Sequence, residues 1–225
     1  MHRPTIASAL TFSAGYADAA GFIALHGLFS AHVTGNFVTV GAALVSGTSG
    51  VVTKLLALPT FCVVIALARL ARYALLSRGL PVLKTLLAVE LLLLTSVSAL
   101  AVKFGPFAGG DSPWAAVTGL TLVAAMAIQN AIQRVHLAHE PPTTIMTGTT
   151  TQVMLDVADL LHGVPPERTE IIRSRLLRMS RAVFSFALGC AFAALFYGAG
   201  GVWCFCVPPV LTLVALCYPD ATDAI

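Results

Sequence analysis

Charge is what this sequence of 225 residues has least of: Asp, Glu, Lys and Arg make up 10% of it, while 57% is hydrophobic. A soluble domain carries roughly 25% charged residues. With a mean hydropathy of +0.88, a soluble single-core globule is excluded. Thirteen Lys and Arg against ten Asp and Glu leave a net charge of +3, too small and too dispersed for a nucleic-acid surface. Cysteine is sparse too. Cys62, Cys190, Cys204, Cys206 and Cys217 are odd in number and sit in apolar stretches, which fits small buried hydrophobes better than a disulfide framework or a zinc site. There is no Gly-rich phosphate loop, nucleophile elbow or complete zinc motif. No catalytic residue, metal or cofactor is therefore expected.

Long apolar runs are what the sequence does have. A transmembrane helix needs about 20 mostly apolar residues, and six stretches approach that length: 5–25, 52–76, 82–103, 114–134, 176–197 and 202–218. Two shorter apolar helices are predicted at 36–46 and 149–162. At 1.5 Å per residue they reach only about 16–21 Å and would not span a bilayer alone. Cytoplasmic connections retain Lys and Arg. Arg69, Arg72, Arg78 and Lys84 flank the link between spans two and three, and Arg168, Arg173, Arg175, Arg178 and Arg181 precede span five. Placing both clusters inside also puts Arg3 and Arg134 inside, with Lys54 and Lys103 as the exceptions. The prediction is six spans with both termini cytoplasmic.

The two halves of the chain resemble each other. His32-Val33-Thr34-Gly35-Asn36 matches Ile145-Met146-Thr147-Gly148-Thr149, 113 residues further on. Each match follows one span, opens a short helix and precedes two more spans, with a longer charged connection in the second half around Gly163 to Arg175. Three crossings per half force the second copy into the membrane upside down. The expected architecture is all-α: six transmembrane helices as two inverted three-helix repeats, 1–108 and 109–225, each with a short half-helix. Secondary transporters and some channels are built this way, with half-helix ends and unwound backbone forming sites near the midplane.

Small and capping residues open both short helices, at Thr34-Gly35-Asn36 and Thr147-Gly148-Thr149. Free N–H groups at such ends attract an anion; ordinary caps plus a Gly for close packing is the other reading. Asp18 lies well inside the first span beside Tyr16. A carboxylate at that depth costs about 2.5–3.5 kcal/mol on insertion scales, so it should face the bundle interior or an aqueous cavity. It is a candidate protonatable cavity residue, with a structural hydrogen bond to backbone or to Tyr16 as the alternative. Gln129-Asn130 and Gln133-Arg134 form a polar face at one helical turn's spacing, suited to a ligand or to helix–helix bonding. His32 is placed to respond to pH or to serve as a hydrogen-bonded structural histidine. Glu90 is expected to pair with Lys84, Arg69 or Arg72 at the cytoplasmic boundary, with a transport acid as the alternative. Asp156 and Asp159 share one helix face, read as solvated, with metal or acid–base chemistry as the alternative. His136-x-x-His139-Glu140 lacks the further ligand a metal site needs. Pro208-Pro209 should kink or break the sixth span at its middle.

Gly15-Tyr16-Ala17-Asp18-Ala19, His32-Val33-Thr34-Gly35-Asn36, Gln129-Asn130-Ala131 and Thr147-Gly148 together resemble the YoaK family of bacterial inner-membrane proteins. The likeness covers almost the whole chain. It implies an inner-membrane location and a two-part layout, and it assigns no biochemical activity. This sequence departs from the family pattern at Ile128 and has Thr149 where the first repeat has Asn36.

The resulting expectation is a transporter or channel for a small polar or anionic solute. Its candidate binding residues are Asp18, Tyr16, His32, Thr34, Gly35, Asn36, Gln129, Asn130, Thr147, Gly148 and Thr149. The lipid bilayer and an unidentified solute are the expected partners, without nucleic acid; small residues such as Gly189 and Ala193 would also suit a homo-oligomer. Two rivals stand beside it. One is a non-catalytic scaffold or sensor whose Arg168–Arg181 segment binds anionic lipid or a protein. The other, an integral-membrane enzyme using Asp18, His32 and Asp156, suffers because the charge rule places His32 and Asp156 on opposite sides.

Overall fold

The structure, a computed structural model, describes residues 4–144 and 146–217. Arg3, Ile145 and Tyr218, used in the reasoning above, lie outside them. Among the described residues every regular element is helical: α1 (Pro4–Ala24), α2 (Gly35–Ser46), α3 (Val51–Leu76), α4 (Val82–Phe104), α5 (Pro113–His136), α6 (Met146–His162), α7 (Pro166–Gly200), a 3₁₀ segment (Gly201–Cys206) and α8 (Val207–Cys217). Among the described residues four segments are long and apolar enough to cross a membrane: α3, α4, α5 and the continuous stretch Pro166–Cys217. α1 has 21 residues but is diluted by Thr5, Ser8, Thr11, Ser13 and Asp18.

The second short helix starts three residues earlier than expected. The charged stretch after Gly163 is not a connection: it is the first three turns of α7, which has 35 residues. Pro166 explains this, because a proline at the first helical position lacks only a donor that would be unsatisfied anyway. The expected sixth span divides into the 3₁₀ segment and α8. Pro208-Pro209 occupies the first turn of α8, where missing N–H groups interrupt no helical ladder, so these prolines start a helix rather than kink one.

Side-chain contacts set the helix directions. Along α7, Ser185 donates to the Ser8 carbonyl at 2.9 Å, Cys190 bonds the Gly15 carbonyl and Phe196 meets Tyr16, so α1 and α7 run parallel. Gln129 reaches Leu10 while Gly119 and Leu122 sit near Leu28 and Gly21, which makes α5 antiparallel to α1. Ser98 bonds Phe205 and Glu90 faces Thr212, so α8 runs back along α4. Two buried clusters fill the bundle, one around Tyr16, Leu94, Leu122 and Phe205, the other around Leu10, Leu87 and Ile132. The outward faces of α3, α4 and α7 display Leu56, Leu67, Leu70, Leu92, Phe184 and Leu195. Such a surface is stable against hydrocarbon and not against water.

The small residues of α7 serve internal packing. Gly189 and Ala193 are buried, and Gly189 lies against the Phe12 carbonyl. Asp111, on the α4–α5 connection, anchors the start of α3: its carboxylate accepts from Gly50 N at 3.0 Å, Thr53 N at 2.9 Å and Thr53 Oγ1 at 3.0 Å. Gly50 has φ 92°, and a Cβ on Gly110 would meet Gly50 Cα at 2.7 Å; only glycines allow this close approach.

Two charged positions differ from expectation. Glu90 is fully buried without a cation: Oε1 meets Thr212 at 3.4 Å and Oε2 has no partner among the described residues. The helical register of α4 turns Glu90 toward Thr212 of α8. Asp156 does not belong to a solvated face, being 0% exposed. Arg175 grips it through Nε at 3.0 Å and Nη2 at 2.6 Å, with Gln152 at 2.8 Å.

Candidate functional site

The first Thr-Gly element is folded around Asp18. From the middle of α1 its Oδ1 accepts Ser30 N at 2.8 Å and Ala31 N at 2.7 Å, with His32 N at 3.4 Å. Oδ2 lies 2.7 Å from His32 Nδ1. A buried carboxylate needs several donors to offset lost hydration, and the connection back from α1 supplies them. Asn36 closes the same loop from the other end, accepting Phe29 N at 2.9 Å and donating to Phe29 O at 2.8 Å. Gly35 packs under the Phe29 ring, where a Cβ would come within 2.9 Å.

This arrangement also occupies the first N–H groups of α2. Gly35 N donates to His32 O at 2.8 Å, Asn36 N to Val33 O at 3.2 Å and Phe37 N to Thr34 O at 3.2 Å. The expected free donors at this helix start are thus bonded to the preceding turn. The favourable end of the helix dipole is retained.

The second element is tied from α5 in a related way. Asn130 Oδ1 accepts from Thr144 Oγ1 at 3.0 Å, much as Asp18 holds Ala31. The predicted polar face of α5 divides in two. Gln129 and Gln133 are buried: Gln129 Nε2 bonds Leu10 O at 2.8 Å and its Oε1 is unpartnered among the described residues, while Gln133 Nε2 ties Leu137 O and Glu140 O. Asn130 and Arg134, one turn apart, face a cleft.

That cleft brings the two elements together. It has a volume of about 610 Å³ and is lined by His32 and Thr34 from the first element, Thr144 and Thr147 from the second, and Asn130 and Arg134 from α5, with Leu58, Phe61 and Ile65 of α3 as its apolar wall. The Thr144 carbonyl lies beside the His32 ring. Arg134 has no hydrogen bond or ion pair among the described residues. A cation, an imidazole, hydroxyls and an amide therefore converge on a space of ordinary ligand-site size.

Of the residues singled out from sequence, His32, Thr34, Asn130 and Thr147 line this cleft. Asp18 and Gly35 line a neighbouring groove. Gly148 is exposed and Thr149 buried at the start of α6. Tyr16 and Gln129 lie within the packed bundle, Tyr16 donating to Cys204 O at 3.0 Å. Sequence reasoning missed Thr144 as a site residue. Arg134 was placed on the polar face of α5 by its spacing from Asn130 but left out of the candidate binding residues, and it lines the cleft. Among the described residues no group of three metal-ligating side chains occurs.

Fold and site together define an all-α protein with helices of membrane-crossing length and a polar cleft between two interrupted segments. The chain belongs to the family described as protein of unknown function (DUF1275), whose pattern matches residues 6–218. No curated protein and no solved structure matched the chain.

Proposed function

We propose that the chain is a bacterial inner-membrane transporter or channel for a small polar solute, preferentially an anion, of the kind its YoaK-like motifs suggest. In this reading it has six spans in two inverted repeats, 1–108 and 109–225, with α2 and α6 as the half-helices, both termini cytoplasmic and no catalytic chemistry of its own. The packing supports the repeat. α2 rests on α3 as α6 rests on α7; α3 packs on α5 as α7 packs on α1; α4 packs on α5 as α8 packs on α1; and α4 meets α8. Exchanging the halves reproduces each of these pairings. The helix directions agree, since α1 and α5, the corresponding first helices, are antiparallel.

The observation that carries the function is the uncompensated Arg134 in the cleft where the two elements meet. Arg134 stands in the last turn of α5 with an exposed side chain lining the cleft, and with no hydrogen bond or ion pair among the described residues its charge is available to an anion. Asn130 and Thr147 would orient the solute, and His32 would stand at the cleft's edge. Asp18 acts here by holding the turn that carries His32.

Proteoliposomes containing the full chain should pass acetate, chloride or inorganic phosphate faster than empty vesicles. Arg134→Gln should remove that flux and Asn130→Ala should reduce it. Equal flux in wild type and in an Arg134→Gln/Asn130→Ala double variant would sink the proposal.

A further inference from the structure

A second cavity adjoins the polar cleft. It has a volume of about 700 Å³ and is walled by Phe22 and Ile23 of α1, Phe29, Val38 of α2, and Phe186 and Cys190 of α7, with Asp18 and His32 at one end. Its surface is almost wholly carbon. The Asp18 carboxylate at its end offers no free charge, because both oxygens are taken by the 30–32 backbone and His32. Phe22 and Ile23 are 41% exposed and Val38 75%, so the groove opens on the outer side of the bundle. His32 lines this groove and the polar cleft alike. Its ring is held edge-on to Phe186 at 5.3 Å and to Phe29 at 6.5 Å on the groove side, with the Thr144 carbonyl on the cleft side.

The two cavities have complementary chemistry and share one wall. A site for a fully hydrated inorganic anion needs only the polar cleft; the adjoining groove adds a carbon-lined surface that such an ion would not use. We infer that the solute is an amphipathic organic anion, a carboxylate with an apolar tail, its charged head at Arg134 in the cleft and its tail passing His32 into the groove. The inference rests on the anion reading above and specifies its substrate class. Charge complementarity fixes the head, and the carbon lining of the groove fixes the tail. His32, held by Asp18, is then the positioning residue at the junction of the two.

The test is a binding series with the full chain in lipid nanodiscs, using acetate, butyrate, hexanoate and octanoate against chloride, with binding to empty discs subtracted. In wild type, affinity should rise with tail length, by up to about fourfold per methylene buried from water. Val38→Asn and Ile23→Gln, on different helices and both at exposed positions, should flatten the series while leaving acetate binding within about twofold, a change of less than half a kcal/mol. Arg134→Gln should weaken every member. Melting temperatures of the variants show that each remains folded. If acetate and octanoate bind wild type equally and both depend on Arg134, the tail inference is overturned and the anion reading stands. If no carboxylate or chloride binds at all, the anion reading itself fails and takes the inference with it.

Discussion

Gly15 and Gly189 form a reciprocal contact across the α1–α7 crossing: a Cβ on Gly15 would strike the Phe186 carbonyl, and a Cβ on Gly189 would strike the Phe12 carbonyl. Both obstacles are backbone, which cannot rotate away. Close approach of small residues drives helix association in hydrocarbon, where burial of apolar surface contributes little. Gly15→Val or Gly189→Val should each lower stability by about 1–3 kcal/mol or more, the range for overpacking. Gly41 of α2 has open space around its Cβ position, so Gly41→Ala should be neutral or stabilising by roughly 0.5–1 kcal/mol. Thermal unfolding in detergent compares the three; equal effects would refute a tight crossing.

Asp18 gathers three backbone N–H groups and an imidazole into one turn. Asp18→Asn keeps one acceptor oxygen and replaces the other, facing His32, by an NH₂ group. Hydrogen bonds to a charged group contribute about 1.5–3 kcal/mol, so the variant should melt earlier and exchange the Ser30 and Ala31 amide hydrogens faster. A solute-only role predicts the opposite pattern, with lost binding at unchanged melting and unchanged amide exchange. Measuring both separates a positioning role from a purely ligand-binding one.

The sequence made the helices legible because length and hydropathy alone decide whether a segment can lie in hydrocarbon, and α3, α4 and α5 fall within a few residues of the predicted spans. The start of α2 was legible in Thr34-Gly35-Asn36, although Thr34 makes no side-chain cap bond, whereas Thr147-Gly148-Thr149 lie within the first turn of α6 and do not precede it. Which side of a helix a polar residue faces was less legible. Glu90 was expected to pair with Lys84, Arg69 or Arg72, yet it turns to Thr212, 122 positions away. Asp156 and Arg175, separated by 19 residues, looked like two independent solvated charges until α6 folded back on α7. Asp111 drew no notice, since a loop carboxylate reveals its partners only when α3 and α5 are placed side by side.

The Asp156–Arg175 pair should be worth most when one member is removed. Asp156 is fully buried while the Arg175 side chain is 37% exposed. Arg175→Met strands the carboxylate, with Gln152 as its remaining partner, and breaking a buried pair in this way typically costs about 3–5 kcal/mol. Adding Asp156→Leu should restore most of that loss, because a buried ion pair and an apolar pair of similar volume are close in energy. A double-mutant cycle on melting in detergent checks the coupling. Purely additive losses would mean that the two side chains act independently.

Asp111 makes stability depend on pH at the N-terminal end of α3. Burial alone would raise its pKa, but the N–H and hydroxyl of Thr53, with the N–H groups of Val52 and Gly50, outweigh that and hold it below its ordinary value of 3.8. The folded chain therefore binds this proton less readily than the unfolded chain. Its contribution is complete above the ordinary value and fades as pH falls through the lowered folded value. Asp111→Ala should cost about 0.5–2 kcal/mol at neutral pH, as for loss of a helix N-cap. The difference in melting temperature between wild type and Asp111→Ala should stay constant from about pH 7 to 5 and shrink below about pH 4. Thr53→Val, which removes one donor to the carboxylate, should bring the folded value back toward the ordinary one, so that less stability is lost on acidification and the loss is complete at higher pH. A difference that grows as the solution is acidified would show that the Asp111 carboxylate does not hold α3 through its charge.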